Sequence, residues 1–303
     1  MTQTSAPLPA WRRVRRRAYW LLLAGLLAVA DRLPLAVGRW KCRALAQLAR
    51  MVRPREMARA RGNLARAFPD CGPREVEDLV KATAAAAGDN LFHALAAGRL
   101  LDRATFTEKG PSGLSLARTV ADLQKHGQGV FFLTGHIGSW ELLGAYAARQ
   151  FDREGLGRLG VVTGTLRNPP IDRLVQERRR KLGLVPLPRD EGLRPVLKHL
   201  DQEGLVAFLL DQNTRTRNLD VPFFGRPAPT PVAMAQLALK RGLPVLPLAM
   251  IPEGGGFTIH WLAPLVPRED ELEEFLARCN AALEELIRRN PAQWVWFHER
   301  WHA

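Results

Sequence analysis

The chain has 303 residues, 47% hydrophobic and 24% charged, a mixture that excludes a disordered polar chain and allows a sizeable core. Its three cysteines, Cys42, Cys71 and Cys279, stand far apart without C-x-x-C spacing, which argues against a disulfide framework or a zinc site and suits a reducing compartment. The net charge of +14 is concentrated: residues 1–66 hold fifteen Arg and Lys against Asp31 and Glu56, whereas the remainder holds 29 basic and 28 acidic residues.

Residues 1–18 form a basic N-terminus, partly disordered, with five arginines between Arg12 and Arg17. An apolar run from Tyr19 to Ala30 follows, with Trp11 and Trp20 near its start. Arginines beside an apolar helix with interfacial Trp read as an anchor on a cytoplasmic leaflet. The thirteen uncharged residues from Ala18 to Ala30 fall short of the roughly 20 needed to span a bilayer, and no small-x-small cleavage site follows. A monotopic or re-entrant membrane-anchor helix over residues 19–40 is therefore expected. Nucleic acid is disfavoured as a partner, because no helix-turn-helix, zinc-finger or RRM pattern is present.

Residues 41–120 read as a helical basic platform packed on the core. Its helices are expected at Trp40–Met51, Pro54–Phe68 and Pro73 to near Gly98, with His93 a packed helix residue rather than a ligand. From Ala121 strands alternate with helices, so residues 121–303 read as one α/β core with a mixed central sheet flanked by helices. Strands are expected at Val130–Thr134, Leu159–Gly164, Leu184–Leu187, Leu205–Leu210, Pro244–Ile251 and Phe257–Ala263. Helices fall at Ser139–Gln150, Pro170–Leu182, Gly192–Gln202, Pro231–Arg241 and Glu269–Arg289. The Gly155–Gly160 stretch satisfies G-x-G-x-x-G, but a helix precedes it and a strand follows, the reverse of a dinucleotide site. Walker A, G-x-S-x-G and H-E-x-x-H are all missing.

The chemistry centres on Val130–Tyr146, VFFLTGHIGSWELLGAY. A buried strand ends in a tight turn carrying His136, and a helix opens at Ser139, a plausible N-cap, with Glu141 in its first turns. Residues five apart on one helix point about 140° apart, so His136 can meet Glu141 only from the turn. A carboxylate beside an imidazole fixes its tautomer and supports its charged form, as a general base for a hydroxyl requires. On spacing alone, a capping or core histidine with a solvated glutamate remains the alternative. Further candidates lie on loops after later strands. Arg167 and Asn168 are placed at the same rim as His136 and suit an oxyanion. Arg189 could reach a phosphorylated head group, whereas Arg178–Lys181 reads as a solvated helix face. Asp211 could orient the acceptor or neighbouring basic groups, or form a turn. Phe223, Phe224 and Gly225 suggest an apolar wall with close backbone approach, suited to an acyl chain, and Thr230 follows among prolines. The closing segment Pro291–Trp301 is rich in aromatics, with His298 structural.

The H-x4-E pattern between an FFLTG strand and a WELLG helix resembles the lysophospholipid acyltransferase superfamily, and most closely the branch that completes lipid A with secondary acyl chains. The order D-Q-x, VPFFG, T and the terminal Q-W-V-W-F-H-E-R-W are similar to the same branch. The resemblance implies a membrane-associated O-acyltransferase that moves an acyl chain from an acyl carrier protein or CoA thioester to a hydroxyl of a lipid A precursor. It implies His136 as general base, Glu141 holding it, and backbone amides near the HIGS turn or Ser139 meeting the oxyanion. Arg167 carries over as a substrate contact. Neither metal nor organic cofactor is implied, and the setting implied is the cytoplasmic face of a bacterial inner membrane. A lysophospholipid, an aminolipid or a phosphatidylinositol mannoside is the alternative acceptor. A catalytically inactive membrane-bound scaffold is the alternative from another class.

Overall fold

A computed structural model describes residues 32–125, 129–166, 168–214, 216–268 and 271–301, together with Trp11, Val14, Ala18, Leu21 and Gly25. Most of the expected anchor over residues 19–40 lies outside the described residues, although its last part opens the first helix below. Residues 35–103 form four helices, α1 (Leu35–Val52), α2 (Pro54–Ala67), α3 (Pro73–Leu95) and the short α4 (Ala97–Arg103). Among the described residues no helix is long and apolar enough to cross a membrane.

The core then runs β1 (Phe106–Lys109), α5 (Leu116–Gln124), β2 (Val130–Thr134), α6 (Trp140–Arg153), β3 (Leu159–Thr163), α7 (Pro169–Lys181) and β4 (Val185–Pro188). It continues with α8 (Arg194–Glu203), β5 (Leu205–Leu209), β6 (Asn218–Phe223), β7 (Arg226–Pro231), α9 (Ala233–Arg241), β8 (Val245–Glu253), β9 (Gly256–Trp261) and α10 (Leu272–Arg289). Seven strands form one sheet in the order β1-β9-β8-β2-β5-β3-β4. Pairing is parallel except between β8 and β9, so the expected mixed α/β sheet is what the chain forms.

Strand β2 sits in the middle, and all five of its residues are buried. Side chains alternate across a sheet, so Phe131 and Leu133 join one apolar cluster while Val130 and Phe132 join the other. A strand buried on both faces reads as an unbroken apolar run, which is why VFFLT was legible. Helices α2, α8, α9 and α10 cover the first face, and α4, α5 and α6 cover the second. Helix α3 contributes to both, with Val76 and Val80 in one cluster and Phe92 in the other. The platform is thus continuous with the core. Asn63 on α2 adds a polar tie, its Nδ2 donating to the carbonyls of Trp296 and His298 at 2.9 Å each.

Three strands escaped the sequence reading. β1 is a four-residue edge strand with a polar outer face, too short to show a period. β6 and β7 form a separate antiparallel hairpin that contains Pro222, Pro227, Pro229 and Pro231. Proline is excluded only where a ladder amide is needed, and in a two-stranded ribbon each strand has a free edge.

Candidate active site

Strand β2 delivers the chain to the carboxyl edge of the sheet, where it must turn sharply into α6. Two glycines make the turn possible. A Cβ on Gly135 would stand 2.9 Å from the Asp211 carboxylate, and Gly138, at φ +55°, would drive a Cβ into the carbonyl oxygen of Met250. The turn is stitched down by its own amides: Gly138 donates to the Gln293 carbonyl and Ser139 to the Met250 carbonyl, both at 2.8 Å.

This turn sets the His136 ring beside the end of β5, the strand paired with β2. Its Nδ1 lies 2.9 Å from Oδ1 of Asp211, and its backbone amide donates to Oδ2 at 2.6 Å. Trp294 Nε1 donates to the same Oδ2 at 2.8 Å. Asp211 is wholly buried. Burial opposes its charge, yet His136 and the Trp294 donor outweigh that, holding its pKa at about 2. On His136, burial disfavours the imidazolium, but the Asp211 charge and hydrogen bond outweigh it, so the pKa stands above the ordinary histidine value. With Nδ1 turned inward, Nε2 is the nitrogen available to a ligand at the partly exposed ring, which packs edge-on to Trp140 at 5.0 Å between centroids.

The carboxylate hydrogen-bonded to the imidazole is therefore Asp211, where the H-x4-E spacing led us to expect Glu141. Glu141 faces α7 and is clamped by Arg179, through Nε to Oε2 at 3.1 Å and through Nη2 to Oε1. The turn points the ring toward β5, and the first turn of α6 points Glu141 toward the neighbouring helix. Both charges still act on His136 through space, Glu141 favouring the imidazolium and Arg179 opposing it. Arg179 had read as part of a solvated face, and nothing in its local pattern distinguishes it from its neighbours.

Ser139 precedes α6 as expected, but its hydroxyl does not cap the helix. It lies 2.8 Å from His93 Nδ1 and 3.4 Å from Asn90 Oδ1, both on α3. Burial pushes the His93 pKa down to about 4, so the ring is a neutral, packed partner. The Gly138 and Ser139 amides, expected to meet an oxyanion, are both engaged within the protein. The first-turn amides of Trp140 and Glu141 follow directly, with no side-chain cap over them.

Arg167 lies outside the described residues. Asn168 precedes α7, and its carbonyl accepts the Asp172 amide at 2.9 Å. Arg189 lies just past β4 and covers Gly164 at the end of β3, its Nε 3.9 Å from Asp190. The parallel order brings it to the same edge of the sheet as His136. Phe223 and Phe224, expected with Gly225 as an apolar wall for an acyl chain, are buried, as is Thr230, and their neighbours are protein side chains. Phe223 packs against Trp294 at 5.6 Å and Trp301 at 5.8 Å between ring centroids. Phe224 (φ +50°) and Gly225 (φ +70°) form the hairpin turn, with Gly225 exposed at its tip and no close neighbour. Thr230 Oγ1 accepts from Asn280 Nδ2 at 3.1 Å and from Arg300 Nη2 at 2.9 Å. The hairpin thus buttresses Trp294, which donates to Asp211. Alternation along β6 buries Val221 and Phe223 on one face, and Phe223 meets the terminal aromatics there. Among the described residues no group of three or more His, Cys, Asp or Glu is arranged to hold a metal ion.

The model of the family described as bacterial lipid A biosynthesis acyltransferase matches residues 8–303. The chain is also similar to the phosphatidylinositol mannoside acyltransferase of Mycobacterium tuberculosis (strain ATCC 25618 / H37Rv), 25% identical over 185 residues, covering 58% of this chain and 56% of the relative. The protein of that name from Mycolicibacterium smegmatis is 24% identical over 185 residues, covering 58% of each chain. The aligned stretch is thus little more than half the length of these relatives.

Two outcomes separate the His136–Asp211 pair from its buttress. Asp211→Asn removes the charge that raises the His136 pKa. The acid limb of the kcat/KM profile, expected above the ordinary ~6.5 in the wild type, should move to lower pH while the rate falls roughly 10²–10⁴-fold. Thr230→Val should leave KM unchanged and cost about 1–3 kcal/mol in urea unfolding, because two buried donors lose their acceptor.

Proposed function

The chain belongs to the bacterial lipid A biosynthesis acyltransferase family, and from that premise we propose that it acylates a hydroxyl of a lipid A precursor, using His136 as general base. It is an acyltransferase, so an acyl donor and a lipid acceptor are both required. The observation that carries the mechanism is the buried Asp211 carboxylate on Nδ1 of a rim histidine.

In this reading Nε2 of His136 takes the proton from the acceptor hydroxyl. The oxygen attacks the carbonyl carbon of an acyl thioester, on acyl carrier protein or CoA. Asp211 holds the Nδ1 proton and stabilises the imidazolium as it forms, without taking the proton itself. The tetrahedral oxyanion is met by the first-turn amides of α6, Trp140 and Glu141, at the positive end of that helix. Collapse breaks the carbon–sulfur bond, and the imidazolium returns its proton to the departing thiolate. Glu141 is a positioning residue that keeps Arg179 at the site, where the guanidinium suits an anionic group on donor or acceptor. Asn168 and Arg189 are substrate contacts at the same rim, and Arg167 is a further substrate contact by its likeness to the family's loop arginine.

The setting is the cytoplasmic face of a bacterial inner membrane, supported by the basic N-terminal fifth of the chain and the apolar run beside it. A second acceptor is favoured by one finding, the similarity to proteins named phosphatidylinositol mannoside acyltransferase. The mechanism is unchanged by that choice.

Acyl transfer in detergent tests both. Labelled acyl carrier protein and acyl-CoA are offered with a tetra-acylated lipid A precursor, a phosphatidylinositol mannoside and a lysophospholipid. Transfer to the lipid A precursor by the wild type, abolished in His136→Ala, is expected. Transfer to the mannoside alone would replace the acceptor and keep the chemistry. Retained turnover in His136→Ala would overturn the mechanism.

A further inference from the structure

Helix α1 carries its amphipathicity the reverse way from a helix that docks onto a core. Toward α3 it presents small residues, Gly38, Cys42 and Ala46. A Cβ on Gly38 would stand 2.7 Å from the Phe92 ring, and one on Gly88 of α3 would meet the Cys42 carbonyl at 2.8 Å and Ala46 at 3.0 Å. Arg39 and Arg43 grip the buried Asp89 carboxylate through four hydrogen bonds of 2.6–3.0 Å. The inner face is therefore a close backbone approach with a charged clamp.

The large apolar side chains point out. Val37, Trp40, Leu45, Leu48, Met51 and Val52 are all exposed, Trp40 at 67% and Met51 at 74%. At about 100° per residue they fall within a sector of roughly 140° along the helix, interrupted by a single charge, Lys41. A contiguous exposed stripe of this kind marks an interaction surface. Its surroundings select the occupant, since residues 35–67 hold nine Arg and Lys with Glu56 as the one acidic residue. A second copy would set this positive surface against itself. Nucleic acid would answer the charge but leave the stripe in water. An anionic lipid surface takes both, apolar side chains into the acyl boundary and cations among the head groups.

We propose that α1 lies in the plane of an anionic membrane with this stripe immersed, a docking element separate from the apolar run that precedes it. Its start, Leu35, Ala36 and Arg39, shares a cavity of about 360 Å³ with His93 and the Gly254–Gly256 turn after β8. Met250 of β8 accepts the Ser139 amide, so docking through α1 brings the catalytic edge of the sheet toward the lipid. The inference rests on the reading of an enzyme that works on lipids. Its test reads lipid contact without turnover, so a failed transfer assay and failed docking are told apart.

The full-length protein is bound to vesicles of phosphatidylglycerol and phosphatidylethanolamine containing a phospholipid with a photoactivatable acyl chain, and cross-links are mapped by mass spectrometry. Adducts on Trp40, Leu45, Leu48 or Met51 are expected. Adducts elsewhere with none on α1 would overturn the proposal. The variant L45S/L48S/M51S alters exposed positions only, and unchanged circular dichroism would verify its fold. It should partition onto these vesicles on the order of tenfold more weakly or worse. Unchanged partition would sink the proposal. So would a wild-type dimer that this variant dissociates in sedimentation while vesicle binding is kept, because the stripe would then belong to a second copy.

Discussion

The structure around the site depends on one buried charge. Asp211 is fully removed from water, and a lone carboxylate there would be neutralised or expelled. It stays ionised because three donors from two distant segments converge on it: the amide and ring of His136 and the indole of Trp294. Those bonds tie the turn after β2 to the end of β5 and to the C-terminal aromatic segment. The tie makes the histidine more basic and fixes which nitrogen faces outward. Support and chemistry are thus one interaction here.

Around this charge the protein is built in layers that each hold the next. Phe223 and Trp301 pack Trp294 in place, and Arg300 lies over the Phe223 ring, its pKa pushed down to about 10 by burial. On the other side, His93 and Asn90 of α3 hold the Ser139 hydroxyl at the start of α6. The turn that carries His136 is therefore gripped from both faces of the sheet, by the hairpin with the C-terminal aromatics on one and by the N-terminal helices on the other. Helix α1 extends the second grip outward, clamped through Asp89 to the helix that holds Ser139. A surface element and the site are thus linked through packed helices rather than through a linker.

Much of this was legible in the residues. The period or apolar run survives in the sequence for most of the core elements: β2, β3, β5 and β8, and the helices α6 to α10, fall within a few residues of expectation. His136 was legible because glycines flank it at a strand's end and leave it on a turn. Glu141 was read correctly as a charged residue in the first turns of α6 but given the wrong partner. Spacing states how far apart two residues are along the chain; it says nothing of which way a turn throws a ring. Asp211, already a candidate on its own loop, could be recognised as the partner of a histidine 75 residues away only once β5 was known to lie beside β2.

The sequence by itself determined the α/β class, the cationic N-terminal fifth, the turn that carries the histidine and the family the chain belongs to, because these rest on local pattern and composition. Tertiary structure alone decided that Asp211 and not Glu141 bonds the imidazole, that Glu141 answers Arg179, and that Phe223 packs on Trp294 and Trp301. It also decided that α1 turns its apolar stripe outward. Each of these depends on which strand lies beside which and which face a helix presents, and such choices are made by packing between segments that carry no mark of one another.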